Sequence, residues 1–197
     1  VPFSAVTGPS AFIWYPWTRN FIKPADTNIT WYGEQVWNGS GYGKLWEYDR
    51  TTFASTDISS RVGMNGLGAM ESIDLGGGAY KLRVIGSTGQ IAESTDDAQT
   101  FTLKTLTTPI TSSCTRWHVA SHPSNRDIIA LGCVENNYYA YSYDGGVNWT
   151  TKSALTLSAD CTIWNVAITD LNLIISCTNG GYTNNPGYTE GPFAVPY

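Results

Sequence analysis

Short apolar runs separated by turn residues recur along the whole chain of 197 residues. Residues 139–143, Tyr-Ala-Tyr-Ser-Tyr, show the two-residue period of a β-strand, in which successive side chains face opposite sides of a sheet. Gly, Ser, Thr and Asn fill the intervals, and no helical stripe with apolar residues at i, i+3, i+4 and i+7 is present. The pattern predicts an all-β fold with four groups of four short strands. The groups are 12–17, 29–37, 43–48 and 52–56; 69–74, 79–86, 90–95 and 100–105; 115–121, 127–133, 138–143 and 148–152; and 162–168, 172–177, about 181–188 and 193–196.

Two segments are variants of the eight-residue pattern Ser-x-Asp-x-Gly-x-Thr-Trp; the first has Asn148 in place of Thr, and the second has Ala98 in place of Gly and Phe101 in place of Trp. Residues 142–149 read Ser-Tyr-Asp-Gly-Gly-Val-Asn-Trp, and residues 94–101 read Ser-Thr-Asp-Asp-Ala-Gln-Thr-Phe. Their aspartates, Asp96 and Asp144, lie 144 − 96 = 48 residues apart. A repeat of this length is typical of one four-stranded blade of a β-propeller.

The residue types of this pattern suit a tight turn between two strands. The Asp carboxylate accepts backbone N–H groups within the turn, the Gly adopts a conformation that is costly for other residues, and the aromatic side chain packs back. We therefore predict structural rather than catalytic roles for both segments. The residues concerned are Ser94, Asp96, Phe101, Ser142, Asp144, Gly146 and Trp149.

Shorter copies extend the repeat in both directions. Asp49 lies 96 − 49 = 47 residues before Asp96, and Glu190 lies 190 − 144 = 46 residues after Asp144. Residues 114–120 also match residues 161–167 at an offset of 161 − 114 = 47. Two phases with one period predict four units, at about 10–58, 68–107, 114–153 and 161–197.

The boxes and their period resemble the BNR, or Asp-box, family of β-propellers. The resemblance implies about four four-stranded antiparallel blades in a single domain over residues 1–197, with the boxes on the rim. Residues 192–197 resemble residues 2–6. Either residues 1–8 add a ring-closing strand to the last blade, or the chain is part of a larger propeller.

Composition excludes several classes of function. Only 14% of residues are charged and the net charge is −5, without a basic run, so we expect no nucleic-acid partner. No apolar stretch approaches 18 residues, so we expect no membrane insertion. No cofactor motif is present.

The four cysteines lie symmetrically in two predicted hairpins. Cys114 is expected opposite Cys133, and Cys161 opposite Cys177. Disulfides would indicate an oxidising location, whereas buried thiols would pack as small apolar groups. We expect thiols, because bridges directly across a hairpin are often strained. The spacings fit no zinc motif, and no metal site is predicted.

Enzymatic chemistry has little support in the sequence. A sialidase-like site needs three arginines around a carboxylate, and the Phe-Arg-Ile-Pro signature of that family is absent. A generic glycosidase needs two carboxylates, and no pattern pairs any two of the available ones. Those not assigned to turns are Glu34, Glu71, Asp74, Glu93 and Asp160. We predict no catalytic residue.

Aromatic side chains are the main indication of a ligand, because their faces stack on sugar rings. We predict carbohydrate stacking by four tryptophans of the first unit, Trp14, Trp17, Trp31 and Trp37. The alternative is that these side chains pack blade against blade.

The boxes, the period and the polar, weakly charged composition also resemble propeller modules of bacteriophage tail and virion surface proteins. This resemblance implies a non-catalytic binding or structural module on a virion surface, attached to a host-surface glycan or a neighbouring virion protein, and it is compatible with a homo-oligomer. The alternatives are a fragment of a secreted carbohydrate-active enzyme and an assembly-factor propeller.

Overall fold

A computed structural model of the chain describes most of its residues. They are residues 21–23, 26–34, 43–64, 66–111, 114, 116–133, 137–153, 161–170, 172–179 and 189–196. Within these ranges the chain forms four antiparallel sheets and one single-turn helix, which confirms the predicted all-β fold. The described residues contain no helix with the length and apolarity needed to span a bilayer.

Each sheet is a meander in which consecutive strands are hydrogen-bonded neighbours. The first sheet contains β1 (Phe21–Lys23), β2 (Asp26–Glu34), β3 (Lys44–Asp49) and β4 (Ala54–Asp57), and helix α1 (Ser59–Val62) follows. The second sheet contains β5 (Leu67–Gly76), β6 (Ala79–Gly86), β7 (Ile91–Ser94) and β8 (Thr102–Leu103). The third contains β9 (Trp117–Ser121), β10 (Ile129–Cys133), β11 (Tyr138–Ser142) and β12 (Thr150–Ser153). The fourth contains β13 (Cys161–Ile168), β14 (Asn172–Asn179) and β15 (Thr189–Pro196).

The predicted strands overlap the observed ones closely in the second and third groups, and also at 43–48 (β3), 162–168 (β13) and 172–177 (β14), whereas β1 was not predicted. Predicted strands 12–17 and 181–188 lie outside the described residues, as do residues 1–8 of the ring-closing alternative. The shortened box predicted around Glu190 is wrong. Glu190 lies within β15 and pairs with Cys177 in the ladder, so its backbone is extended rather than turned.

The sheets stack face to face in chain order. Alternate residues of a strand point to opposite faces of its sheet, so each inner sheet packs against the sheet before it and the sheet after it. In β6, Leu82 and Val84 join a core with Trp31 and Leu45 of the first sheet. Arg83 and Ile85, which alternate with these two residues, point to the other side of the sheet. There Ile85 packs with β9 and β10 of the third sheet.

The third and fourth sheets approach even more closely. Gly132 of β10 faces β13, and a Cβ atom there would lie 2.6 Å from Val166 Cγ1 and 2.7 Å from Ile163 Cγ2. Ala130 and Tyr139 complete this core from the third sheet. Consecutive antiparallel sheets packed in this way form a β-propeller-like arrangement.

Cys114, Cys133 and Cys177 are oxidised, and the prediction of free thiols is wrong for them. Cys114 is bonded to Cys133 with a Cα–Cα distance of 5.9 Å, inside the range that disulfides require. The expected strain does not arise, because Cys133 pairs with Trp117 in the ladder and Cys114 lies before β9 begins. Cys177 pairs with Ile163 and is also disulfide-bonded.

The box at residues 142–149 attaches the third sheet to the second. Trp149 is buried, and its indole N–H donates to the carbonyl oxygen of Gly89 at 3.0 Å. Gly146, at φ 90°, lies against Ile91 of β7. Phe101, the equivalent aromatic of the other box, packs against the core of the first two sheets. Each box aromatic therefore contacts the core shared with the preceding sheet.

We predict that Gly146→Ala lowers the free energy of unfolding by about 2–4 kcal/mol. The left-handed backbone of this position is strained for alanine, and the added methyl group would overpack the site. The new Cβ atom would lie 2.2 Å from Ile91 Cδ1. The matched control is Ala98→Gly, since Ala98 holds the same place in the other box at φ 57°. Relief of strain there offsets the loss of one buried methyl, so the change should stay within about 1 kcal/mol. Urea denaturation measures both variants, and equal effects would contradict the assignment.

Candidate functional site

In the box at residues 142–149 the side chains of Ser142, Asp144 and Asn148 are bonded within the turn. The Ser142 hydroxyl donates to Asp144 Oδ1 at 2.8 Å and accepts the Gly146 N–H at 2.9 Å. The two carboxylate oxygens of Asp144 accept the backbone N–H of Asn148 at 2.9 Å and its side-chain amide at 2.8 Å. This set of bonds fixes the turn between β11 and β12.

The box at residues 94–101 repeats these bonds between β7 and β8. Ser94 donates to Asp96 Oδ1 at 2.7 Å and accepts the Ala98 N–H at 3.1 Å. Asp96 accepts the backbone N–H of Thr100 at 3.0 Å and the Thr100 hydroxyl. The two segments are therefore the same turn with different side chains.

These bonds lower the pKa of both aspartates from 3.8 to about 2. The hydroxyl and backbone N–H of Thr100 are the main causes for Asp96, and the backbone N–H of Asn148 is the main cause for Asp144. Both carboxylates stay ionised at any physiological pH and are fully engaged within their turns. Neither is placed to exchange a proton with a substrate.

The shortened box around Asp49 joins β3 to β4, at the position that the full boxes occupy in the next two sheets. Asp49 Oδ1 accepts the backbone N–H groups of Thr51 at 2.7 Å and Thr52 at 3.2 Å. Its aromatic residue, Phe53, is 74% exposed and does not pack back. The turn retains the Asp bonds but lacks the aromatic contact.

A row of charged side chains crosses the second sheet. The ladder places Glu71 of β5 opposite Arg83 of β6, and Arg83 opposite Glu93 of β7. Arg83 is 0% exposed; it donates to Glu71 Oε1 at 2.7 Å and to Glu93 Oε1 at 2.8 Å. The carboxylates thus balance a fully buried guanidinium.

The same row connects the second sheet to the third. Ser121 of β9 donates to Glu71 Oε1 at 2.6 Å, and Arg83 donates to the Ser121 hydroxyl at 2.8 Å. Arg83 also donates to the carbonyl oxygen of Arg126 at 3.1 Å. The charged row is therefore part of the packing between sheets.

These contacts leave the described acidic candidates without a catalytic pair. Burial raises the pKa of Glu93, but bonds from Lys81 and Arg83 and the charge of Lys104 outweigh it, so the net shift is downward. A glycosidase acid needs the opposite shift. Asp74 is exposed and accepts the Gly76 N–H at 2.7 Å. The side chain of Glu34, and the whole of Asp160, lie outside the described part.

His122 is engaged on both ring nitrogens. Nδ1 accepts the backbone N–H groups of Ser124 at 3.2 Å and Asn125 at 3.1 Å, and Nε2 lies 3.1 Å from Asp170 Oδ1. The ring thus joins the β9–β10 turn to the β13–β14 turn. The described residues contain no cluster of three His, Cys, Asp or Glu side chains that could hold a metal ion.

Of the four predicted stacking tryptophans, the structure describes one. Trp14, Trp17 and Trp37 lie outside the described residues. Trp31 is 0% exposed, its indole N–H donates to Glu47 Oε2 at 3.1 Å, and its ring lies 5.8 Å from that of Tyr80. A side chain without exposed surface cannot stack on a sugar, so Trp31 belongs to the core.

The opposite face of the same sheet carries a different aromatic group. Trp46 lies between Tyr32 and Asp57 in the ladder, and Tyr48 lies between Thr30 and Ser55. These side chains therefore share one face, which we call the first-sheet aromatic face. Its three rings are half-buried. The face consists of Thr30, Tyr32, Lys44, Trp46, Tyr48, Ser55 and Asp57.

The rings of this face are ordered by contacts among themselves. The Tyr32 and Trp46 rings are stacked, with centroids 6.3 Å apart and planes 9° apart. Lys44 Nζ lies 5.2 Å from the Trp46 ring centroid and 2.9 Å from Asp57 Oδ2. Stacked aromatic rings with polar side chains at their edge are suited to a ligand that has both apolar faces and hydroxyl groups.

Strand alternation could have identified this face from the sequence. In β2 the polar residues Asn28 and Thr30 have the parity of Tyr32, whereas Ile29 has that of Trp31. The aromatic on the polar side is therefore Tyr32. Residue type alone favours Trp31 for stacking, whereas strand parity favours Tyr32.

The tyrosines of β11 are largely used in packing. Tyr139 is buried against the fourth sheet and Tyr141 packs on the same core. Tyr143, 49% exposed, meets Tyr141 edge to face at 5.5 Å.

Comparison with known proteins adds little to this picture. No protein-family model matches the chain, and no curated protein matches it. Among solved structures, the GH74 enzyme of Niastella koreensis is similar at 13% identity and a TM-score of 0.41, over 88% of this chain and 23% of that chain. The SapL1 lectin, in complex with alpha methyl fucoside, is similar at 17% identity and a TM-score of 0.40, over 85% of this chain and 59% of that chain. This chain spans less than two thirds of either, and neither similarity bears on its ligand or activity.

We predict that Arg83→Met lowers the free energy of unfolding by about 3–5 kcal/mol, because it leaves the buried carboxylate of Glu71 without its counter-charge. The control is Lys44→Met, which breaks the exposed Lys44–Asp57 pair and should cost less than about 1 kcal/mol. Chemical denaturation of both variants gives the comparison. A loss for Arg83→Met no larger than that for Lys44→Met would contradict the role of the charged row.

The low pKa values predict an acid-dependent contribution to stability. An aspartate with a folded pKa near 2 and an unfolded pKa near 4 stabilises the fold above pH 4, and that contribution is lost as pH falls towards 2. The deficit of Asp96→Asn and Asp144→Asn relative to the unchanged protein should therefore be largest near pH 7 and shrink below pH 4. Denaturation curves between pH 2 and 7 measure it. A deficit that does not change with pH would contradict the assigned hydrogen bonds.

Proposed function

We propose that this chain is a non-catalytic binding module that recognises glycan through the first-sheet aromatic face. The stacked pair of Tyr32 and Trp46, beside the polar groups of Lys44 and Asp57, carries the proposal. Pyranose rings present C–H faces to aromatic rings and hydroxyl groups to neighbouring polar atoms. Both kinds of partner are adjacent on this face.

The state of the described acidic residues supports a role without catalysis. Glu71 and Glu93 hold Arg83, and Asp96 and Asp144 hold their turns. These carboxylates contribute to packing and to local structure. They supply neither a general acid nor a nucleophile.

We further propose that the module is displayed outside the cell, on a virion surface or tail fibre, where it attaches to a host-surface glycan or a neighbouring virion protein. The Cys114–Cys133 disulfide supports an oxidising environment. The box pattern and the weakly charged composition support a displayed module. The disulfide favours this role over that of an intracellular assembly factor.

A glycan array with the purified chain tests the function. We expect binding to at least one glycan, and we expect Trp46→Ala to weaken it at least tenfold through loss of the stacking surface. Tyr143→Ala is the matched control, because it removes an exposed ring outside the face. Absence of binding to every glycan, or equal binding by Trp46→Ala, would contradict glycan recognition at this face.

A further inference from the structure

The Tyr32 ring of the first-sheet aromatic face lies along the sheet rather than projecting from it. The Tyr32 hydroxyl lies 3.4 Å from Ser55 Oγ. Tyr32 belongs to β2 and Ser55 to β4, so the side chain crosses the intervening strand β3. Two strand spacings of about 4.8 Å each separate β2 from β4, and a tyrosine reaches across β3 only when its ring lies nearly flat on the sheet.

Trp46 continues this surface. Its plane is within 9° of that of Tyr32 and the two centroids are 6.3 Å apart, so the two rings face the same way; we call this pair the platform. Tyr48 follows two residues along β3, a spacing of about 6.6 Å. These intervals are comparable with the length of one sugar ring. A flat row of rings contacts one side of a ligand and does not enclose its end.

The charges beside the platform compensate each other. Lys44 Nζ is 2.9 Å from Asp57 Oδ2 and lies beside the Trp46 ring. Asp57 is ionised because the bonds from Ser59 and Lys44 outweigh burial, which alone would raise its pKa. An anionic sugar would have to displace Asp57 from Lys44, and a cationic one would have to displace Lys44 from Asp57.

From this geometry we infer that the first-sheet aromatic face binds an internal stretch of a neutral, linear polysaccharide, with consecutive pyranose rings lying flat on Tyr32 and Trp46. The inference depends on the proposed glycan-binding function and specifies its ligand. A single sugar would cover one ring and leave the rest of the platform in water. Two or more linked sugars gain a further stacking contact for each ring covered.

The length dependence of binding tests the inference. Four neutral series, of malto-, cello-, laminari- and manno-oligosaccharides with one to six units, are titrated by calorimetry, together with oligogalacturonates of matched length. We expect affinity in at least one neutral series to rise tenfold or more between one and three units and then to level. Oligogalacturonates should bind at least tenfold more weakly than that series.

Variants distinguish the platform from other surfaces. Tyr32→Ala and Trp46→Ala should each reduce the gain with length to less than threefold, while Tyr143→Ala preserves it. Near-UV circular dichroism and the melting temperature show that the variants are folded.

Several results would overturn the inference. Equal affinity for one unit and six units would indicate recognition of a chain end or of single sugars, and a preference for oligogalacturonates would indicate an anionic ligand. If none of the four neutral series binds, the inference fails. The proposed function fails on separate outcomes, which are no binding to any glycan of the array, or equal binding by Trp46→Ala.

Discussion

Burial of both faces of each inner sheet is the constraint on which this structure depends. In every strand, alternate residues point to opposite sides of the sheet. In the second sheet, Leu82 and Val84 therefore pack against the first sheet, and Ile85 and Ile91 pack against the third. A one-residue shift in register would exchange the two sets. The box turns reinforce the correct stacking, because Trp149 bonds to Gly89 of the preceding sheet.

The charged row shows how a polar group is accommodated within such a stack. Arg83 lies among apolar residues of β6 and has no contact with water. Glu71 and Glu93 lie directly opposite it on the neighbouring strands, and Ser121 completes the set from the third sheet. Arg83 can reach all of these partners only when the three strands are in this register and the third sheet is packed against them. The acidic residues that could suggest a hydrolase are thus explained by packing.

Local signals were predictable from the sequence, and long-range ones were not. The strands of the second and third sheets follow from boxes whose hydrogen bonds join residues within four positions. The prediction of free thiols assumed that Cys114 lies directly opposite Cys133. The ladder instead pairs Cys133 with Trp117, and the symmetry of the hairpin sequence does not reveal this register. The link between Glu71 and Ser121 spans 50 residues and appears only when two sheets are docked.

The first-sheet aromatic face stands between these cases. Parity along β2 and β3 separates Tyr32 and Trp46 from Trp31 and Leu45, but only the fold shows that the two rings are parallel.

The central claim is that a glycan stacks on this pair. The direct measurement is a two-dimensional ¹H–¹⁵N spectrum of the indole N–H groups of the 8 tryptophans during addition of an array-selected glycan, with Trp46→Phe to assign one signal. The account predicts that the Trp46 signal shifts in proportion to binding while those of Trp31 and Trp149 stay in place. Binding that leaves the Trp46 signal unchanged would contradict it.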